Sequence, residues 1–152
     1  MKMDIDKEMN LYIGEDFFEF TDDRYDGFCY PGDNDIFVRK EIDEIIIHEV
    51  IHCFEHDIRT KEAIVKLFKE THNQTLEKFI AHPEIVPIIE DLLDGYDESA
   101  HESELYAYLL QYELDSNFKD YFEALSFLFD YVEDNTGVTS FIHIYDYSEA
   151  EA

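Results

Sequence analysis

Residues 45–54 read Ile45-Ile46-Ile47-His48-Glu49-Val50-Ile51-His52-Cys53-Phe54, and the reading of the whole chain follows from them. On an α-helix, residues four apart lie one above the other. His48 and His52 can therefore aim two imidazoles at one point. Glu49 lies about 100° round the helix from His48, close enough to reach a water held there. Two neutral imidazoles suit zinc, and a third protein ligand leaves the fourth position open for water. Zinc draws that water's pKa towards neutrality, and a carboxylate can take its proton as it attacks a carbonyl. With seven histidines in 152 residues, chance alone gives His-Glu-x-x-His roughly 0.04 times in a chain of this composition.

The surroundings strengthen the reading. Ile42, Val50, Ile51 and Phe54 extend the apolar run, so the helix is expected to be largely buried. His56 continues the stripe of His48 and His52. Buried histidines need partners, and a metal is one partner that several can share. The plainer alternative is that they bond to backbone and nearby acids. Glu55 and Asp57 close the helix, and either could orient a ligand histidine through its second ring nitrogen.

The chain is 45% hydrophobic and 16% aromatic, with 13 Phe and 11 Tyr. That composition argues for one folded domain spanning residues 1–152 and against disorder. The formal net charge is -27. From Phe79 onwards a single lysine, Lys119, stands against 18 acids. Such a chain should be repelled by nucleic acid and membrane surfaces and attracted to basic partners. No stretch reaches the roughly 18 apolar residues of a membrane span, and the first residues lack the apolar core of a signal peptide. The two cysteines, Cys29 and Cys53, do not make a disulfide framework. The expectation is a cytoplasmic protein with reduced thiols.

Before the motif, short aromatic and β-branched runs with turn residues between them argue for strands. These are Leu11-Tyr12-Ile13, Phe17-Phe18-Glu19-Phe20, Phe28-Cys29-Tyr30 and Ile36-Phe37-Val38. They predict a small N-terminal antiparallel sheet, whose last strand could serve as the edge to which an extended peptide adds. Beyond the motif the pattern turns helical. Thr60 is placed to cap a helix carrying Ala63, Ile64, Leu67 and Phe68, and residues 74–81 and 85–93 continue in helical spacing. Residues 118–134 read as another helix, ended by Asn135-Thr136-Gly137. Phe141 to Tyr145 read as a terminal strand. The predicted class is α+β, with the sheet first and a mostly helical remainder.

A zinc site with two histidines on one helix needs a third ligand, and a glutamate is a common one. Residues 101–112, His101-Glu102-Ser103-Glu104-Leu105-Tyr106-Ala107-Tyr108-Leu109-Leu110-Gln111-Tyr112, form a strong, mostly apolar helix with two glutamates near its start. Glu104 shares a face with Ala107, Tyr108 and Gln111, and small Ala107 would let two helices approach closely. Glu104 is the first choice and Glu102 the alternative.

With these residues on the page, the chain resembles the zincin metallopeptidases of the minimal kind, and more closely the small zincin-like proteins of bacteriophages and prophages. The matching stretches are Ile36-Phe37-Val38, His48-Glu49-x-x-His52 and Glu104-Leu105-Tyr106-Ala107-Tyr108-Leu109-Leu110, over roughly residues 28–112. The resemblance implies a zincin-like domain, zinc held by His48, His52 and Glu104, and Glu49 as general base in peptide hydrolysis. The third histidine of the metzincins is absent, since Ile58 stands in its place. Tyr106, Tyr108, Tyr112 and His101 are the candidates for steadying an oxyanion. A competing expectation is an acidic binding protein, an inhibitor or DNA mimic that occupies a host nucleic-acid-binding or defence protein. It rests on the -27 charge, although charge by itself usually marks only a solvated surface.

Overall fold

The computed structural model describes residues 6–19, 26–30, 32–70 and 98–147, with side chains from residue 107 onwards in the last segment. The helical readings at 74–81 and 85–93 and the tail at 148–152 lie outside the described residues. Strands β1 (Asp6–Ile13), β2 (Gly27–Tyr30), β3 (Asp35–Val38) and β4 (Thr139–Asp146) form one sheet in the order β2-β3-β1-β4. Helices are α1 (Asp43–His56), α2 (residues 61–70), α3 (Glu98–Asn117) and α4 (Tyr121–Thr136). No described helix is long and apolar enough to cross a membrane.

The α+β class holds, but the sheet corrects two expectations. It is mixed rather than antiparallel: β2 and β3 form an antiparallel hairpin, whereas β1 runs parallel to both β3 and β4. Nor is it confined to the N-terminus, because β4 returns after α4 to pair with the whole of β1. Parallel neighbours need a long crossover, and here the helices provide it. Consequently β3 is interior, and the edges are β2 and β4. The strand expected at Phe17-Phe18 is instead a 3-10 turn, Glu15–Phe18. Its Phe17 ring is set against the Tyr12 and Phe37 rings, at 5.8 and 5.2 Å between centroids.

One sheet face carries the core. Met9, Leu11 and Ile13 of β1 and Ile36 and Val38 of β3 are fully buried with Ile46, Ile47, Val50, Ile51 and Phe54 of α1. Leu110 and Leu114 of α3 and Leu125, Leu128 and Val132 of α4 complete the cluster. The opposite face is aromatic. Phe28, Phe37, Tyr12 and Tyr145 stand side by side across all four strands. Successive centroids are 4.9, 5.0 and 5.1 Å apart, with ring planes 15 to 17° from parallel.

α1 begins with Asp43 and Glu44, which favour a helix start through its dipole, and no side chain caps its N-terminus. Its other end is fixed more firmly. The backbone turns extended at Asp57. Thr60, expected as a helix cap, donates its hydroxyl back to the Phe54 carbonyl at 2.7 Å, satisfying an otherwise open helix-end acceptor. The inward-facing Lys7 of β1 reaches Asp57 at 3.0 Å and Asn34 Oδ1 in the β2–β3 turn. Asn34 has φ 59°, which asparagine tolerates better than most residues. α4 is capped as its sequence reads: Asp120 accepts from the Glu123 N–H at 3.0 Å, and Gly137, with φ 78°, donates to the Glu133 carbonyl at 2.8 Å.

Candidate metal centre

The site lies where α1 faces α3. His48 and Glu49 are buried and His52 is nearly so. One turn of α1 sets the His48 and His52 rings 4.7 Å apart at an interplanar angle of 79°. Their Nε2 atoms converge to 3.1 Å. Two nitrogens each about 2.0–2.1 Å from one zinc would stand this far apart at an angle near 100°, compatible with distorted tetrahedral ligation.

The outer ring nitrogens bear on the tautomers. His48 Nδ1 lies 3.0 Å from Gln111 Oε1 on α3, and His52 Nδ1 lies 3.6 Å from Glu55 Oε2. The Gln111 oxygen at His48 Nδ1 favours a proton there, which leaves the His48 lone pair on Nε2, whereas Glu55 is beyond hydrogen-bond reach of His52 Nδ1. At 3.1 Å the two Nε2 atoms either share a proton in an N–H···N hydrogen bond or, with both lone pairs turned inward, take a cation between them. Orientation of ligand imidazoles by an amide or carboxylate behind them is a usual feature of histidine metal sites. The residues present therefore fit a divalent metal.

Gln111 reaches His48 because α3 comes close to α1, and α3 comes close because Ala107, facing α1, is small and fully buried. Tyr108, one of the candidates for the oxyanion, has its ring 4.4 Å from the His48 ring. Glu104 lies one helical turn before Tyr108 and two turns before Gln111. The backbone of α3 includes both Glu104 and Glu102, but their side chains, like those of His101 and Tyr106, lie outside what is described. Among the described residues, no group of three His, Cys, Asp or Glu side chains is gathered as a metal set. The described residues thus give the α1–sheet layer and a histidine pair, without by themselves defining a zincin domain.

Two residues named beside the expected set lie apart from the histidine pair. His56, on the same stripe of α1, is exposed at the helix end. Asp57 is turned towards Lys7 and Arg59, so of the two closing acids it is Glu55 that stands behind a histidine.

Glu49 looks the other way round the helix, towards edge strand β2. There the free Cys29 thiol is hydrogen-bonded with the Cys53 thiol and with Glu49, and its pKa is pushed up, first by the hydrogen bond with Cys53, then by burial and the Glu49 charge. In the metal-free protein Cys29 is therefore a neutral thiol. β2 can lie this close to α1 because Gly27 has no side chain: a Cβ there would come within 2.6 Å of Ile45 Cγ2. Neither the Cys29–Glu49 contact nor the role of Gln111 was anticipated from sequence. Helical spacing from Glu104 could have flagged Gln111, whereas nothing local points from Cys29 to Glu49.

Comparison with protein families, with curated proteins and with solved structures returns no match.

Proposed function

We propose that this chain is a zinc-dependent peptidase-like hydrolase. The observation that carries the reading is the convergence of His48 and His52 Nε2 at 3.1 Å, with a side-chain oxygen behind each ring. In this reading His48, His52 and Glu104 would hold the metal, and the chemistry it would supply is a water acidified to near-neutral pKa. Glu49 is buried and in this structure contacts the Cys29 thiol on the β2 side of α1; it would serve as general base for that water after its side chain turns from Cys29 towards the histidines. Gln111 keeps the His48 imidazole in the liganding tautomer. The Tyr108 ring, against His48, shields one side of the pair from solvent. The net charge of -27 favours a basic protein or peptide as substrate.

The test is hydrolysis of an internally quenched peptide library rich in Lys and Arg. Zinc-loaded wild type should cleave some members, and Glu49→Gln should lose at least about 100-fold in rate, at the lower end of general-base contributions, while keeping its zinc. Equal rates in the two proteins would overturn the assignment of Glu49. A second reading, an acidic binding protein for a basic host target, draws on the same charge and is compatible with a metal held only for structure.

A further inference from the structure

We infer that the outer face of the sheet is a docking surface for an arginine-rich segment of another protein. The face is built rather than incidental. Four rings, Phe28, Phe37, Tyr12 and Tyr145, run unbroken from one edge strand to the other at 4.9 to 5.1 Å. Phe17 lies against this row, and Tyr147 closes on Phe17 at 5.7 Å. Tyr145, at one end of the row, is 41% exposed, and Tyr30, in the neighbouring row on the opposite edge strand with its ring 5.7 Å from Phe28, is 56% exposed. A solvated sheet face ordinarily alternates to polar residues. Exposed rings gathered in one patch mark an interaction site more often than a bare surface.

The charges beside the rings choose the partner. The next row across the sheet reads Tyr30, Asp35, Asn10 and His143, and Glu8 follows on β1. None of these outward positions is a lysine or arginine; past the end of β3, Arg39 lies over Phe18, 4.6 Å from its centroid, and pairs with Glu15 at 3.1 Å, an arrangement of the kind an incoming guanidinium would make. The lysine of β1, Lys7, is turned to the core and spent on Asp57. Nucleic acid and anionic lipid are repelled by a chain of net charge -27, and so is a second copy of the same chain. A guanidinium satisfies both features at once. It stacks flat on aromatic rings, and it pairs in a bidentate manner with carboxylates such as Asp35 and Glu8. A lysine ammonium is a compact, strongly hydrated charge that stacks less well. The inference does not depend on the metal site, which lies on the opposite side of the sheet among the helices.

The experiment uses the full chain in EDTA at about physiological salt, where polyelectrolyte attraction is screened beyond roughly 8 Å. A ten-residue arginine peptide and a ten-residue lysine peptide are titrated by calorimetry. The expected result is that the arginine peptide binds at least tenfold more tightly. Tyr30→Ser/Tyr145→Ser, which leaves the net charge unchanged, should weaken the arginine peptide at least tenfold and the lysine peptide little. On wild type, the arginine peptide should slow amide exchange in residues 27–30 and 139–146 more than in α4, which provides a readout even if the double variant fails to fold. Equal affinity for the two peptides, undiminished binding by a folded double variant, or protection elsewhere on the chain would overturn the inference. So would concentration-dependent self-association that the double variant abolishes, since the face would then belong to a second copy.

Discussion

Replacing Asp57 by alanine tests the joint that holds the C-terminal end of the histidine helix. Lys7 is 1% exposed, and its ammonium has Asp57 Oδ2 at 3.0 Å and the neutral Asn34 Oδ1 as partners. Asp57 also accepts from Arg59, at 2.9 Å from the backbone N–H and 2.8 and 3.1 Å from the guanidinium. Arg59 foremost, and Lys7 with it, holds the Asp57 carboxyl well below the usual carboxylate range. Removing one partner of a buried pair costs about 3–5 kcal/mol, because the other charge is left uncompensated. Asp57 is 13% exposed, so water reaches one end of the pair and the lower figure, about 3 kcal/mol, applies. At an unfolding entropy of roughly 2.1 cal/mol/K per residue, a chain of this length should lose about 10 °C in Tm. The assay is thermal unfolding by circular dichroism at pH 7, repeated down the pH scale. A carboxylate with a depressed folded pKa contributes stability above its unfolded pKa of about 3.9 and loses it as pH falls through the lower folded value. The gap between wild type and variant should therefore be full at pH 5 and above and close only below about pH 4. Lys7→Met/Asp57→Leu should recover much of the loss, since a well-packed apolar pair can replace a buried ionic one. A loss under about 1 kcal/mol at pH 7 would refute the reasoning, placing the pair among ordinary surface salt bridges.

Three further outcomes follow from other parts of the molecule. Gln111→Leu should weaken zinc affinity by about 10–100-fold through loss of the oxygen behind His48, read by competition with a chromogenic chelator, without a matching loss of stability in the metal-free protein. Gly27→Ala should cost about 1–3 kcal/mol as an overpacked contact, because its Cβ would meet Ile45 at 2.6 Å; denaturant unfolding reads this directly. The Asp115 carboxyl is pushed up in pKa by burial and then by Glu44 and Asp43. A raised folded pKa means its charge opposes folding above that pKa and the cost disappears on protonation. Asp115→Asn should therefore stabilise at pH 7, by up to about 0.5 kcal/mol as for a helical like-charge pair, and should make little difference near pH 3; parallel melts at the two pH values check it.

What the sequence revealed and what it hid divide along local and non-local lines. The His48–His52 spacing, the buried isoleucines around it and the capped end of α4 at Gly137 are local, and each is present in the structure. The strands at Leu11–Ile13, Ile36–Val38 and Phe141–Tyr145 were legible too, but not their partners. β4 pairs with β1 across more than 130 residues, and no periodicity encodes a pairing at that distance. The aromatic outer face also hid the burial pattern. In Leu11-Tyr12-Ile13 and Ile36-Phe37-Val38 the inward residues are aliphatic and the outward ones are rings, so the usual apolar–polar alternation vanishes. The same ambiguity made Phe17-Phe18 read as a strand, although tertiary contacts to Tyr12, Phe28 and Phe37 set it as a 3-10 turn. At the candidate site, the motif gave both histidines and Glu55 stood in the same helix, while the oxygen behind His48 depended on how α3 lies against α1.

The most direct test of the metal centre is zinc content by elemental analysis, on wild type and on His48→Ala and Glu49→Gln. The account predicts about one zinc per chain in wild type and in Glu49→Gln, and none in His48→Ala. A folded wild type that takes up no zinc, and whose melting is indifferent to chelator, would contradict it: the paired imidazoles would then share a proton, and the function would have to be sought on the acidic and aromatic surfaces.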